Sequence, residues 1–145
     1  MKRAIAFISS TESEDSIKLL FLFEGELGKK LKEMGYEVID ASVDAMAFAD
    51  EVREKGVDEI LLVAVKSRGR RPGFYLYKPQ KIRADNYTLA KLATATLTGY
   101  LDVDALLEGL PAFAPELLDR ITVLECEPPC GDWERAILEA LGEAK

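Results

Sequence analysis

The chain has 145 residues, 48% of them hydrophobic and 31% charged, with a net charge of −7. That length and composition are those of one folded domain with its own core, not of a disordered chain. The acidic balance argues against nucleic-acid binding, which needs an excess of Lys and Arg, and no apolar run approaches the roughly 20 residues of a membrane helix. Met1-Lys-Arg leads into only a short apolar stretch, so no secretory signal is expected and the expected location is the cytoplasm.

Arg3 to Ile8 predicts a first strand, followed by the polar turn Ser9 to Glu14. From Asp15 to Met34 the apolar residues Ile17, Leu20, Phe21, Phe23, Leu27, Leu31 and Met34 recur near the helical period. Ser13 or Asp15 is a candidate cap, and Gly35 stands where a C-terminal glycine belongs. Tyr36 to Asp40 predicts a second strand, and Asp44 to Lys55 a second helix closed by Gly56. The run Ile60 to Val65 is six apolar residues without alternation, the pattern of a central strand covered on both faces. This β-α-β-α-β order predicts a parallel sheet with right-handed crossovers.

Lys66 to Gly73 is a loop by its Gly and Pro content, and the aromatic Phe74 to Tyr77 predicts a further short strand. A third helix is expected from Asp85 or Asn86 to Thr98, and a short one from Asp102 to Gly109. Pro111 to Glu116 predicts a linker into one helical turn ending at Arg120. A last strand, Ile121 to Glu125, and a closing helix, Trp133 to Leu141, complete the chain. The expected fold is a three-layer αβα arrangement: a mostly parallel twisted sheet of about five strands with a hairpin edge strand, over residues 1–145.

The residue types restrict the chemistry. The chain has no His, which excludes Ser/His/Asp and Cys/His triads and His-ligated metal sites within it. One Asn and one Gln against sixteen Glu is a hyperthermophile pattern. No glycine-rich phosphate motif occurs; Ser9, Ser10, Thr11 and Ser13 would meet an anion only beside Glu12, Glu14 and Asp15. Asp15, Asp40 and Asp44, with Glu12, lie near the ends of the first two strands. They are candidates for a divalent cation or, more plainly, acidic residues that favour helix N-termini. No other cofactor is expected. Cys126 and Cys130 flank a Pro-Pro turn and are candidates for a disulfide, for free thiols, for a redox pair or for half of a metal site.

Between Lys66 and Arg83 there are seven basic residues and no acidic one. Arg68, Arg70 and Arg71 on this loop can grip a carboxylate or phosphate with two hydrogen bonds each, or face an acidic partner. A solvated charge run is the competing reading. Phe74, Tyr75 and Tyr77 stand beside them as contact residues.

Two stretches carry a resemblance. Asp58 to Val65 running into Gly69-Arg-Arg-Pro-Gly-Phe-Tyr-Leu-Tyr77, and later Leu106 to Leu110 with Thr122 to Pro128, resemble the hydrogenase maturation proteases. These are metal-assisted endopeptidases that trim the large subunit of nickel-iron hydrogenases on a phosphorylase/hydrolase-like α/β fold. The resemblance implies three metal ligands, but the corresponding positions carry Ser16, Val63 and Asn86 or Tyr87, and Ser9-Ser10 replaces the family's Gly-Asn pair. Val63 has no donor atom. The resemblance therefore implies a non-proteolytic relative that binds a protein or peptide partner, a hydrogenase subunit or assembly factor among them. The alternatives are an active metal-assisted endopeptidase or hydrolase with a rearranged carboxylate site, drawing on Asp15, Asp40 and Asp44, and a small-molecule-binding α/β domain.

Overall fold

The computed structural model describes residues 1–9, 14–42, 44–79 and 103–143. Its elements are β1 (Arg3–Phe7), α1 (Glu14–Glu24), α2 (Glu26–Glu33), β2 (Glu37–Asp40), α3 (Ala45–Lys55), β3 (Glu59–Val65) and β4 (Gly73–Tyr77). They continue with α4 (Val103–Phe113), a 3-10 helix (Pro115–Arg120), β5 (Ile121–Glu127) and α5 (Trp133–Ala140). The helix expected between residues 85 and 98, with Asn86 and Tyr87, lies outside the described residues, as do Ser10 to Ser13.

The strands form one sheet in the order β2-β1-β3-β5-β4. β1 pairs in parallel with β2 and β3, and β3 with β5, while β4 runs antiparallel to β5. This is the mostly parallel five-stranded sheet that the alternation of elements predicts. The edge strand differs in one respect: β4 follows β3 in sequence but pairs with β5, so the two do not make a hairpin. β5 takes the place beside β3, with Ile60 opposite Ile121 and Val65 opposite Cys126. β1 and β5 take up the two edges of β3, and helices on both sides of the sheet cover the two faces of its apolar run.

Strand alternation divides the core into two layers. Ala4, Ala6, Leu62, Ala64 and Val123 face α3, α4 and the 3-10 helix, packing on Phe48, Val52, Leu106 and Leu110. Ile5, Phe7, Leu61, Val63, Leu124 and Cys126 face α1, α2 and α5, packing on Leu19, Phe23, Leu31, Trp133 and Ile137. Phe7 and Phe23 stack with centroids 4.7 Å apart. Burying a Leu or Phe in such a layer stabilises by about 1.5–3 kcal/mol.

The helix ends follow from local chemistry. Asp44 caps α3, its Oδ1 accepting from the Ala47 amide at 2.7 Å, and Gly56 ends it at φ 64. Gly35, at φ 97, lets the Tyr36 amide turn back to the Leu31 carbonyl at 3.0 Å, the glycine-closed helix end. Two boundaries depart from expectation. Pro111 lies inside α4, not in a linker, and the helix runs on to Phe113. The single helix expected from Asp15 to Met34 is two, broken at Gly25, whose ψ of −143° leaves the helical region.

Glycine makes that break possible. A Cβ on Gly28 would lie 1.8 Å from the Phe23 carbonyl oxygen, and one on Gly25 would lie 2.9 Å from that of Phe21. The backbone of α2 thus folds directly against the end of α1. Across the break the buried stripe keeps a spacing of four: Leu19, Phe23, Leu27 and Leu31 are buried while Phe21 and Met34 are exposed.

Candidate functional site

β5 is the strand on which the unusual chemistry converges, and alternation sends it in two directions. Glu125 and Glu127 point to the α4 side, Cys126 to the α5 side.

Glu125 is fully buried and Glu127 nearly so. Both receive the basic loop after β3. Arg68 donates to Glu125 through Nε at 2.7 Å and Nη2 at 2.9 Å. Arg70 adds Nη2 at 2.6 Å and the Tyr77 hydroxyl 2.9 Å. Glu127 accepts the Arg68 backbone amide on both oxygens, at 2.9 and 3.0 Å, and Arg70 Nε at 2.8 Å. The other edge of Arg68 grips Asp104 on α4 at 3.0 and 2.6 Å, with Lys66 Nζ 3.9 Å from the same carboxylate. The Arg70 guanidinium also lies 4.2 Å from the centre of the Tyr75 ring, a cation–π contact.

The loop's arginines therefore do hold carboxylates, but the chain's own. Lys66, Arg68 and Arg70 are matched by Asp104, Glu125 and Glu127, so three of the seven positive charges of the run are balanced within the fold. Burial by itself would raise Glu125; the hydrogen bonds from Arg68 and Tyr77 outweigh it and hold the carboxyl below its usual range. The bond from Arg70 lowers Glu127 in the same sense. Burial and the Glu125 charge push the Tyr77 phenol up, so it stays a donor, and hydrogen bonds to Glu125 and Asp104 raise Arg68. These groups keep their protonation states at neutral pH, which makes them poor acid–base catalysts. Four donors on the two oxygens of Glu125 also occupy its acceptor capacity.

The aromatic residues expected to act beside the loop are separated by the same alternation. Tyr75 and Tyr77 face the network, and the Tyr75 hydroxyl donates to the Arg71 carbonyl at 2.7 Å. Phe74 faces the other way and meets Trp133 edge-on, 4.9 Å between centroids. Arg71 is exposed.

Among the described residues, Asp15, Asp40 and Asp44 do not come together as a metal centre. Asp40 Oδ1 accepts the Ser42 amide at 2.8 Å and Asp44 caps α3, while Asp15 lies in the first turn of α1. Among the described residues no group of three or more Asp, Glu or Cys side chains is placed to hold a metal ion. At the positions the resemblance assigns to ligands, Ser16 is buried and Val63 is enclosed in the sheet. Of these two positions, Val63 has no donor atom to offer a metal.

On the α5 side the structure shows a second feature. An open, mainly apolar groove of about 540 Å³ runs between the α1–α2 break and the start of α5. Phe21, Leu22, Leu27 and Trp133 form its apolar lining, and Lys18, Glu26, Asp132 and Glu134 its rim. Phe21 is 67% exposed. Glu134 is held by Lys30 at 2.8 Å, which leaves Glu26 and Asp132 against Lys18. Cys130 also lines this groove and is joined to the buried Cys126 by a disulfide.

Sequence reasoning missed the groove and the carboxylate side of the network. The Glu-x-Glu spacing at Glu125 and Glu127 places both on one strand face, and that was the signal for buried cation partners. For the groove the signal was Gly25 and Gly28 inside an otherwise helical run. Among the described residues, no helix is long and apolar enough to cross a membrane. Comparison with protein-family models, with curated proteins and with solved structures finds no match for the chain.

Proposed function

We propose that the protein is a non-proteolytic binding domain that takes a peptide segment of a partner protein into the groove between the α1–α2 break and α5. The observation that carries this reading is Phe21, a large apolar side chain held in the open beside Leu27 and Trp133. An exposed apolar patch with a polar rim is the form of an interaction site. The occupant is a segment bearing a large apolar side chain next to Lys or Arg. The apolar residue suits the lining, and the basic one suits Glu26 and Asp132 on a chain of net charge −7. The resemblance to hydrogenase maturation proteases makes a hydrogenase subunit or assembly factor the first partner to try. The ligand-poor positions Ser16 and Val63 argue for binding without cleavage.

The test is selection from a displayed peptide library on the wild-type protein, with Phe21→Ser as counter-target. Recovered peptides are then synthesised and titrated by Trp133 fluorescence, Trp133 being the chain's one tryptophan. Recovered sequences should pair an apolar with a basic residue and bind Phe21→Ser at least tenfold more weakly, with its thermal stability retained. Peptides that bind both proteins equally, or no selected peptide at all, would refute the reading.

A further inference from the structure

Cys130 follows Cys126 by four positions, and the bridge between them joins the end of β5 to the approach of α5. Its two halves differ: Cys126 is fully buried in the core layer, whereas Cys130 is partly exposed and lines the groove. The helix that follows has no side-chain cap at its start. Asp132, at its N-cap, adopts a left-handed conformation at φ 55 and makes no side-chain capping bond. Such a conformation is costly for a residue with a Cβ and persists where the surroundings hold it. Two residues upstream, the disulfide is the covalent hold. Trp133, the first residue of α5, forms part of the groove lining and meets Phe74.

We infer that the Cys126–Cys130 disulfide is a redox gate on this groove: oxidised, it fixes the α5 wall for peptide binding, and reduced, it releases that wall. The inference rests on the reading of the groove as a peptide site. The reductant is a dithiol. Its thiolate attacks Cys130 Sγ, the sulfur that faces the groove. The S–S bond breaks, and Cys126 leaves as a thiolate and takes a proton. The reagent's second thiol then attacks the mixed disulfide, freeing Cys130 as a thiol and closing the reagent into its own disulfide. The protein gains two electrons and two protons, and the dithiol loses them. Without the bridge, residues 128–132 regain conformational freedom, and the strained Asp132 turn and the Trp133 contact are no longer tied to β5.

The gate and the groove can be tested apart. Acrylamide quenching of Trp133 is measured without any ligand, on the oxidised protein and on protein reduced with dithiothreitol, with circular dichroism to verify that both are folded. Quenching should rise at least twofold on reduction. The Cys126→Ser/Cys130→Ser double variant should match the reduced protein and be indifferent to dithiothreitol. A library-selected peptide should bind the oxidised form at least tenfold more tightly than the reduced one. Unchanged quenching, or equal peptide affinity in both states, overturns the gate. Absence of peptide binding in the oxidised state overturns the peptide-site reading, and with it the gate as stated, while the quenching result separately reports whether the bridge holds the wall.

Discussion

Replacing Glu125 with alanine removes the acceptor at the centre of the β5 network. The carboxylate is fully buried and takes hydrogen bonds from Arg68, Arg70 and Tyr77 at 2.6–2.9 Å. Removing one member of a buried ion pair costs about 3–5 kcal/mol when its partner is left uncompensated. Here each arginine keeps a second carboxylate, Asp104 for Arg68 and Glu127 for Arg70. Their side chains also reach solvent, at 32% and 25% exposure. The expected loss is therefore at the low end, about 3 kcal/mol, out of the about 5–15 kcal/mol typical of a domain. At about 2–4 °C per kcal/mol for a chain of this size, Tm should fall by about 6–12 °C. Urea unfolding followed by Trp133 fluorescence measures it directly. The same assay on Arg70→Ala and on the double variant should give a coupling energy of about 1–3 kcal/mol. A loss below about 1 kcal/mol would mean that Glu125 contributes no more than a surface charge, and would refute the structural role assigned to the network.

Acid should weaken the fold through the same carboxylates. Glu125 and Glu127 are held below their ordinary value of 4.5, so the unfolded chain binds protons first as pH falls. The stability they contribute is complete above about pH 4.5 and is lost as pH drops through their folded values. With no His in the chain, the urea midpoint should stay nearly level from pH 7 to 5 and then fall, less steeply in Glu125→Ala. Equal slopes in the two proteins would remove Glu125 from the explanation. Gly28→Ala should destabilise by at least about 2 kcal/mol, because the added methyl would meet the Phe23 carbonyl and overpacking of this kind costs about 1–3 kcal/mol. A wild-type midpoint for that variant would show that the close approach of α2 to α1 does not define the break.

The parallel core was legible because its signals are local. The unbroken apolar run Ile60 to Val65 identified the central strand, and Asp44 and Gly56 marked both ends of α3. The pairing of β4 was not local: nothing near Gly73–Tyr77 indicates that its neighbour is a strand starting at Ile121. The basic loop was legible as a concentration of charge but not as part of an ion-pair cluster, because its carboxylates lie 36 to 59 residues further on. The groove depended on the break at Gly25, which periodicity does not reveal because Phe23 and Leu27 keep the helical spacing of four across it. The two cysteines were visible as a pair, while their place in the groove wall depended on how α5 packs.

The distance along the chain between β4 and its supports has a consequence during synthesis. Tyr77 is 48 residues ahead of Glu125, and Arg68 is 57 ahead of it. At about 5–20 residues per second, the ribosome takes roughly 2–10 s to supply the strand that β4 pairs with. Through that interval the aromatic stretch Phe74 to Tyr77 lacks the strand it pairs with and carries the composition of an aggregation-prone segment. Arg68, Arg70 and Arg71 precede it on the nascent chain as charged gatekeepers. Two of them, Arg68 and Arg70, thus serve twice, first keeping an unpaired strand apart from its like, then closing over the carboxylates of β5 once that strand has emerged.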